Sequence, residues 1–130
     1  MVPTIFNANK KSLAEIAAEA KSLAKQCQSG SINPDLLRGA TFTVSNLGSL
    51  GVESFTPVIN PPQVAILGVN TIVTKIREKN GAISTYQAMP LSLTYDHRVV
   101  DGAPAARFAV ALTKVLENFT YYLACNGGLK

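Results

Sequence analysis

The sequence holds one histidine, His97, with Asp96 and Arg98 on either side and a second carboxylate, Asp101, four positions on. Imidazole is the side chain that exchanges a proton most readily near neutral pH, which suits it to act as a base or an acid in catalysis. A carboxylate four residues away can orient such a ring. The same spacing also fits a solvated surface pair worth roughly a few tenths of a kcal/mol. Leu91, Leu93 and Tyr95 alternate with Ser92, Thr94 and Asp96, the pattern of a strand. Asp101 or Gly102 can cap a helix that has Pro104 near its first position. A strand therefore runs into ionisable residues just before a helix begins. Such a junction holds side chains in an open crevice on rigid elements.

The rest of the 130-residue chain must supply the frame. Downstream, Ala105, Phe108, Ala109, Leu112, Val115, Leu116, Phe119 and Leu123 predict one apolar helix face, with Gly127 and Gly128 as its end. Upstream, Leu13, Ile16, Ala17, Ala20, Leu23, Ala24 and Cys27 predict a core-facing helix, opened by a Ser12/Glu15 capping box and stopped by Gly30. Val2 to Asn7 reads as an edge strand or as an arm packed on another element. Asn33-Pro34 forces a turn or extended link. In Ala40 to Ser45, Phe42 and Val44 point one way while Thr41, Thr43 and Ser45 point the other, a half-buried strand with a hydroxyl-lined second face. Asn46 to Gly51 turns the chain, and Pro57, Pro61 and Pro62 stiffen an irregular stretch. Val64 to Val69 suits a strand buried on both faces. Asn70 to Glu78 reads as its extension or as the first arm of a hairpin, with Asn80-Gly81 a type I′ turn and Ala82 to Ala88 the return. The plan is α/β in two layers, helices on one face of a mixed sheet of four or five strands.

Composition sets outer bounds. Hydrophobic residues make up 47% and charged residues 15%, which argues against disorder and suggests apolar surface covered by a partner. No apolar run approaches the roughly 20 residues that cross a bilayer, and MVPTIFNANKK lacks a secretory pattern. These features predict no membrane partner. The net charge of +4 comes without a Lys/Arg cluster or an aromatic-basic platform, so nucleic acid is not expected and a small anionic ligand fits better. Cys27 and Cys125 have neither metal nor redox spacing and read as reduced thiols of a cytosolic protein. No metal site is expected.

DHRVVDGAPAARF resembles the active-site signature of the dihydrolipoamide acyltransferase components of 2-oxo acid dehydrogenase complexes, whose fold is related to chloramphenicol acetyltransferase. TFTVSNLGSLGVESFTPVINPPQVAILGV is similar to the family's strand-loop-strand segment, and NANKKSLAEIAAEAKSLA to its preceding helix. The resemblance spans Val2 to Leu123. It implies that residues 1–130 are the C-terminal part of one catalytic domain, N-terminally truncated, without a lipoyl or peripheral subunit-binding domain.

The activity it implies is transfer of an acyl group, acetyl foremost, between coenzyme A and dihydrolipoamide, the lipoyl group being carried on another domain. His97 matches the family's general base and Ser45 its oxyanion-stabilising serine, while Asp101 matches a carboxylate that holds the histidine corner. Asp96 and Arg98 would brace the turn, and Asn46 and Gly48 would shape the loop beside Ser45. The expected partners are two further copies in a trimer, with histidine and serine of one site on neighbouring chains, and the other subunits of the complex. The expected compartment is cytoplasmic, or the mitochondrial matrix in a eukaryote. The ending NGGLK, with Leu129 its one apolar side chain, departs from the family's apolar hook that joins trimers. The alternative is a non-catalytic assembly module of the same fold.

Overall fold

In the computed structural model, which describes residues 1–125, the run AILGV forms the middle strand of a three-stranded mixed sheet. This strand, β2 (Ala65–Val69), lies parallel to β1 (Thr43–Asn46) and antiparallel to β5 (Leu91–Tyr95). Ile66 and Gly68 point to its buried face. Gly68 is required there by packing, because a Cβ would come within 2.9 Å of the Phe55 ring.

Between β2 and β5 the chain rises into a hairpin, β3 (Val73–Lys79) and β4 (Ala82–Ala88). Asn80 (φ 55°) and Gly81 (φ 77°) both adopt the left-handed conformation, as a type I′ turn demands. The expected single sheet of four or five strands is thus two sheets, a three-stranded one and a separate two-stranded hairpin. The ladder is interrupted at the hairpin's base. Asn70 is buried there, donating its side-chain amide to the Pro90 carbonyl (2.9 Å) and the Ser92 hydroxyl (3.2 Å), and Pro90 has no N–H to continue the pairing.

The chain divides into two compact units, Thr41–Arg107, which contains both sheets, and Met1–Ala40 together with the chain from Phe108 on. In the second, α1 (Leu13–Ser29) begins on the full Ser12/Glu15 capping box and ends at Gly30 with φ 70°. Val2 to Asn7 is an arm, not a strand: the Thr4 N–H donates to the Leu36 carbonyl at 2.7 Å. The single C-terminal helix expected from the apolar pattern is two, α2 (Gly102–Glu117) and α3 (Phe119–Cys125). At the break the Asn118 side-chain amide donates to the Lys114 carbonyl (2.9 Å), competing there with the regular helical bond from its own backbone N–H. Gly127, Gly128 and the rest of NGGLK lie outside the described residues.

The helical stripes are less covered than a core-facing pattern predicts. Among the described residues the buried aliphatic side chains are Leu23, Ile32, Ile66 and Ala105, while Leu13, Phe108, Leu116 and Phe119 stay exposed. Nor does β1 present its faces as its composition suggests. Thr43 is the buried residue, 7% exposed, its hydroxyl donating to Gln63 Oε1 at 2.6 Å, whereas Val44 is 60% exposed. Burying a hydroxyl is tolerable because Gln63 satisfies it. Among the described residues no helix is long and apolar enough to cross a membrane.

Candidate active site

Asp96 makes the corner that presents His97. Its N–H donates to the Val64 carbonyl (2.8 Å), adding one more link between β5 and the chain entering β2. Its own carbonyl then accepts from both Val99 and Val100 (3.0 Å each), which winds residues 97–100 into a tight turn. Its carboxylate takes the Arg98 N–H (3.0 Å) and a two-pronged contact from the Arg98 guanidinium, Nε to Oδ1 at 2.9 Å and Nη2 to Oδ2 at 2.6 Å. With Asp96 and Arg98 tied to each other, His97 is left projecting from the turn, its side chain 69% exposed. Nδ1 lies 3.9 Å from Asp101 Oδ1, beyond hydrogen-bond length, with both side chains largely exposed. The Asp101 carbonyl accepts from Ala105 N–H and so starts α2.

One neighbour escaped the sequence pattern. The Tyr95 ring lies 5.7 Å from the His97 ring, tilted by 39°. Strand alternation assigned Tyr95 a face but could not show that the turn folds His97 back beside it. Gly102 completes this edge, since a Cβ on it would meet the Tyr95 hydroxyl at 3.5 Å.

The Arg98 side chain, and after it the Arg98 backbone N–H, hold the Asp96 carboxyl down from its ordinary 3.8 to about 2. Asp96 in turn raises the Arg98 guanidinium. The pair is exposed enough for solvent to screen it, so its value is geometric. Because the folded-state value lies below the unfolded one, the contribution to stability is complete above pH 3.8 and is lost as pH falls through about 2. In a carboxyl-carbon NMR titration Asp96 should show a midpoint of about 2, moving up towards 3.8 in Arg98→Ala. A wild-type midpoint at 3.8 would contradict the brace.

Ser45 stands on β1, level with Gly68 of β2 and on the same side as buried Thr43. Asn46 follows, its Oδ1 accepting from the Gly48 N–H at 3.0 Å. The loop then passes so close to the end of β2 that a Cβ on Gly48 would sit 2.4 Å from the Asn70 carbonyl oxygen. Glycine is needed here for that approach. The Asn46 hydrogen bond and the close approach at Gly48 lie in the turn that follows Ser45.

The structure does not bring Ser45 and His97 together within one chain. Ser45 is level with Gly68, and Gly68 with Ser92. His97 lies past the far end of β5, beyond the Tyr95–Ala65 pair. The two are thus separated by roughly 10 Å across the sheet and at least about 10 Å along it. Asp96, His97, Arg98 and Asp101 form one cluster; Ser45, Asn46 and Gly48 form another. Among the described residues no group of three or more His, Cys, Asp and Glu is placed to hold a metal ion.

The fold is thus an α/β one whose mixed sheet carries a serine on one strand and a histidine just past the end of another. The sequence profile of the 2-oxoacid dehydrogenases acyltransferase (catalytic domain) matches residues 1–124, and the chain belongs to that family. It is 45% identical over 118 residues to the dihydrolipoyllysine-residue acetyltransferase component of the pyruvate dehydrogenase complex of Azotobacter vinelandii, covering 91% of this chain and 18% of that one. The mitochondrial component of the same name in Schizosaccharomyces pombe is 42% identical over 121 residues, covering 91% and 25%. The relatives thus include bacterial and mitochondrial proteins. A solved structure of Azotobacter vinelandii dihydrolipoamide acetyltransferase matches with a TM-score of 0.89 at 42% identity, over 95% of this chain and 51% of that one. That work concerned the role of a serine, a histidine and an asparagine in the enzyme's catalytic mechanism. The α/β architecture is that of these catalytic cores, and the chain spans about half the length of the solved one.

Proposed function

We propose that this chain carries the catalytic corner of an acyltransferase that moves an acyl group, acetyl foremost, between coenzyme A and dihydrolipoamide. One observation carries the reading. The serine and histidine studied in the Azotobacter vinelandii enzyme are spaced along that chain as Ser45 and His97 are along this one, and its asparagine stands at the offset of Asp101.

The chemistry follows from the side chains. A neutral thiol is a weak nucleophile, and His97 takes its proton as the sulfur attacks the thioester carbonyl. With Nδ1 turned to Asp101, Nε2 is the nitrogen that accepts. The new carbon–sulfur bond places negative charge on the carbonyl oxygen, where the Ser45 hydroxyl donates to it. Collapse of this intermediate breaks the old carbon–sulfur bond, and the departing thiolate recovers the proton from the imidazolium. Asp101, with Asp96 and Arg98, holds the histidine corner, and Asn46 and Gly48 hold the serine loop. No acyl-enzyme forms, because both thiols are bound together.

Since Ser45 and His97 stand apart in one chain, a complete site needs the serine of a neighbouring copy. A closed ring of three copies supplies each site in this way. The exposed apolar faces of α1 and α2 fit burial against such neighbours. The lipoyl group arrives on another domain, and the other subunits of a 2-oxo acid dehydrogenase complex are the partners this implies. The bacterial cytoplasm, or the mitochondrial matrix of a eukaryote, is the compartment that suits reduced thiols and such partners.

A second reading, a module that assembles without turning over, draws on the same exposed helix faces. Acetyl-coenzyme A, dihydrolipoamide and the wild-type chain, assayed beside its mass in solution, separate the two. Thioester formation by a trimer is expected. A trimer without turnover supports the assembly module, and a monomer without turnover overturns both.

A further inference from the structure

The His97 ring is the proton acceptor of the proposed site, yet neither charged neighbour holds it. Asp101 Oδ1 stands 3.9 Å from Nδ1, and both side chains are largely exposed. At that distance, in water, a carboxylate does not fix a ring plane. The Arg98 guanidinium is committed to Asp96. An exposed imidazole left to itself samples several χ1 wells, and its χ2 torsion is broad and roughly two-fold, so either nitrogen can face outward. A general base needs one nitrogen in one place, because a misplacement of about 1 Å can cost roughly 10²-fold. Packing must therefore make the selection.

Tyr95 is the side chain placed to do so. Its ring is centred 5.7 Å from the His97 ring at a tilt of 39°, within the range in which aromatic pairs attract. The tyrosine is itself fixed at both ends. Its backbone is the last residue of β5 and pairs with Ala65 of β2. Its hydroxyl reaches the first residue of α2, where a Cβ on Gly102 would stand 3.5 Å from it. One half-buried side chain thus spans the corner from strand end to helix start, and the turn between them lays His97 beside it. A ring carried on two regular elements is a rigid wall for a side chain on a turn.

We propose that Tyr95 is the positioning residue of this site, its ring holding the His97 imidazole in the one orientation from which Nε2 faces the thiol. The inference rests on the reading of His97 as the base. It assigns the orientation to the Tyr95 ring and not to the phenol hydroxyl or to the Asp101 charge. The contact is ring against ring, so phenylalanine preserves it and an aliphatic side chain does not.

His97 is the chain's one histidine, so its ring signals are unambiguous in NMR spectra of the full chain. The wild type should show cross-peaks between the His97 and Tyr95 ring protons. It should also show unequal Hα–Hβ couplings at His97, the mark of a single rotamer. In Tyr95→Ala the couplings should converge on an averaged value, while Tyr95→Phe keeps them apart. In the acyl-transfer assay Tyr95→Ala should lower kcat by roughly three- to tenfold, the worth of one aromatic pair, with the KM for coenzyme A unchanged. Tyr95→Phe should restore kcat. A merely structural role would lower the yield of folded chain without freeing the His97 rotamer in what folds. The proposal is overturned by averaged couplings in the wild type or by unchanged couplings in Tyr95→Ala. It is also overturned by a loss that falls on KM, or by a Tyr95→Phe variant as impaired as Tyr95→Ala. If Tyr95→Ala does not fold, Tyr95→Leu, which keeps bulk without a ring, decides the same question. A wild-type chain without turnover would overturn the acyl-transfer reading alone, because the couplings report the ring contact independently of activity.

Discussion

His97→Ala should lower kcat for acyl transfer by roughly 10²–10⁴-fold, the range that a positioned general base contributes. The loss should fall on kcat with little change in the KM for coenzyme A, because the base acts on the proton in flight and not on the bound ground state. The fold should survive. The His97 side chain is largely exposed and its nearest charged partner, Asp101, is beyond hydrogen-bond length, while the turn is held by Asp96 and Arg98. An intact thermal transition together with the kinetic loss would therefore assign the effect to chemistry. Retention of most activity would sink the assignment of His97 as base.

Ser45→Ala comes next in size, with an expected loss of roughly 10²–10³-fold in kcat, the cost of removing one oxyanion donor. Here the separation of Ser45 and His97 yields a sharper result than either variant alone. If each site takes its histidine from one chain and its serine from the next, then unfolding, mixing and refolding His97→Ala with Ser45→Ala chains restores some complete sites. Random assembly of equal amounts into closed rings would return about one quarter of the sites to the wild-type pairing. Mixtures as inactive as their components would mean that the two residues do not share a site.

How far these residues could be read in advance differs from element to element. The start of α1 was legible because Ser12 and Glu15 bond within one turn, and its end because Gly30 takes a conformation that glycine adopts at little cost. Asn80-Gly81 announced the hairpin for the same reason. The corner was legible as a place: alternation from Leu91 to Tyr95 and a helix after Asp101 left His97 at a junction. The helix break at Asn118 was not, because an uninterrupted apolar stripe crosses it and a single side-chain amide bond marks it. The covered face of β1 was misread. Alternation tells which residues share a face, but the face that is buried depends on Gln63, twenty positions away in sequence.

By itself the sequence determined the local pieces: the caps, the type I′ turn, the strand ending in an Asp-His-Arg corner, and the family to which their order points. These rest on bonds between residues a few positions apart. Only the tertiary structure decided that the hairpin stands as its own sheet and that Thr43 faces in. It also decided that Ser45 and His97 sit at opposite ends of a three-stranded sheet. The reason is register. One strand's pairing with another is set by packing between segments far apart in the chain, and a shift of a single residue turns every side chain to the other face.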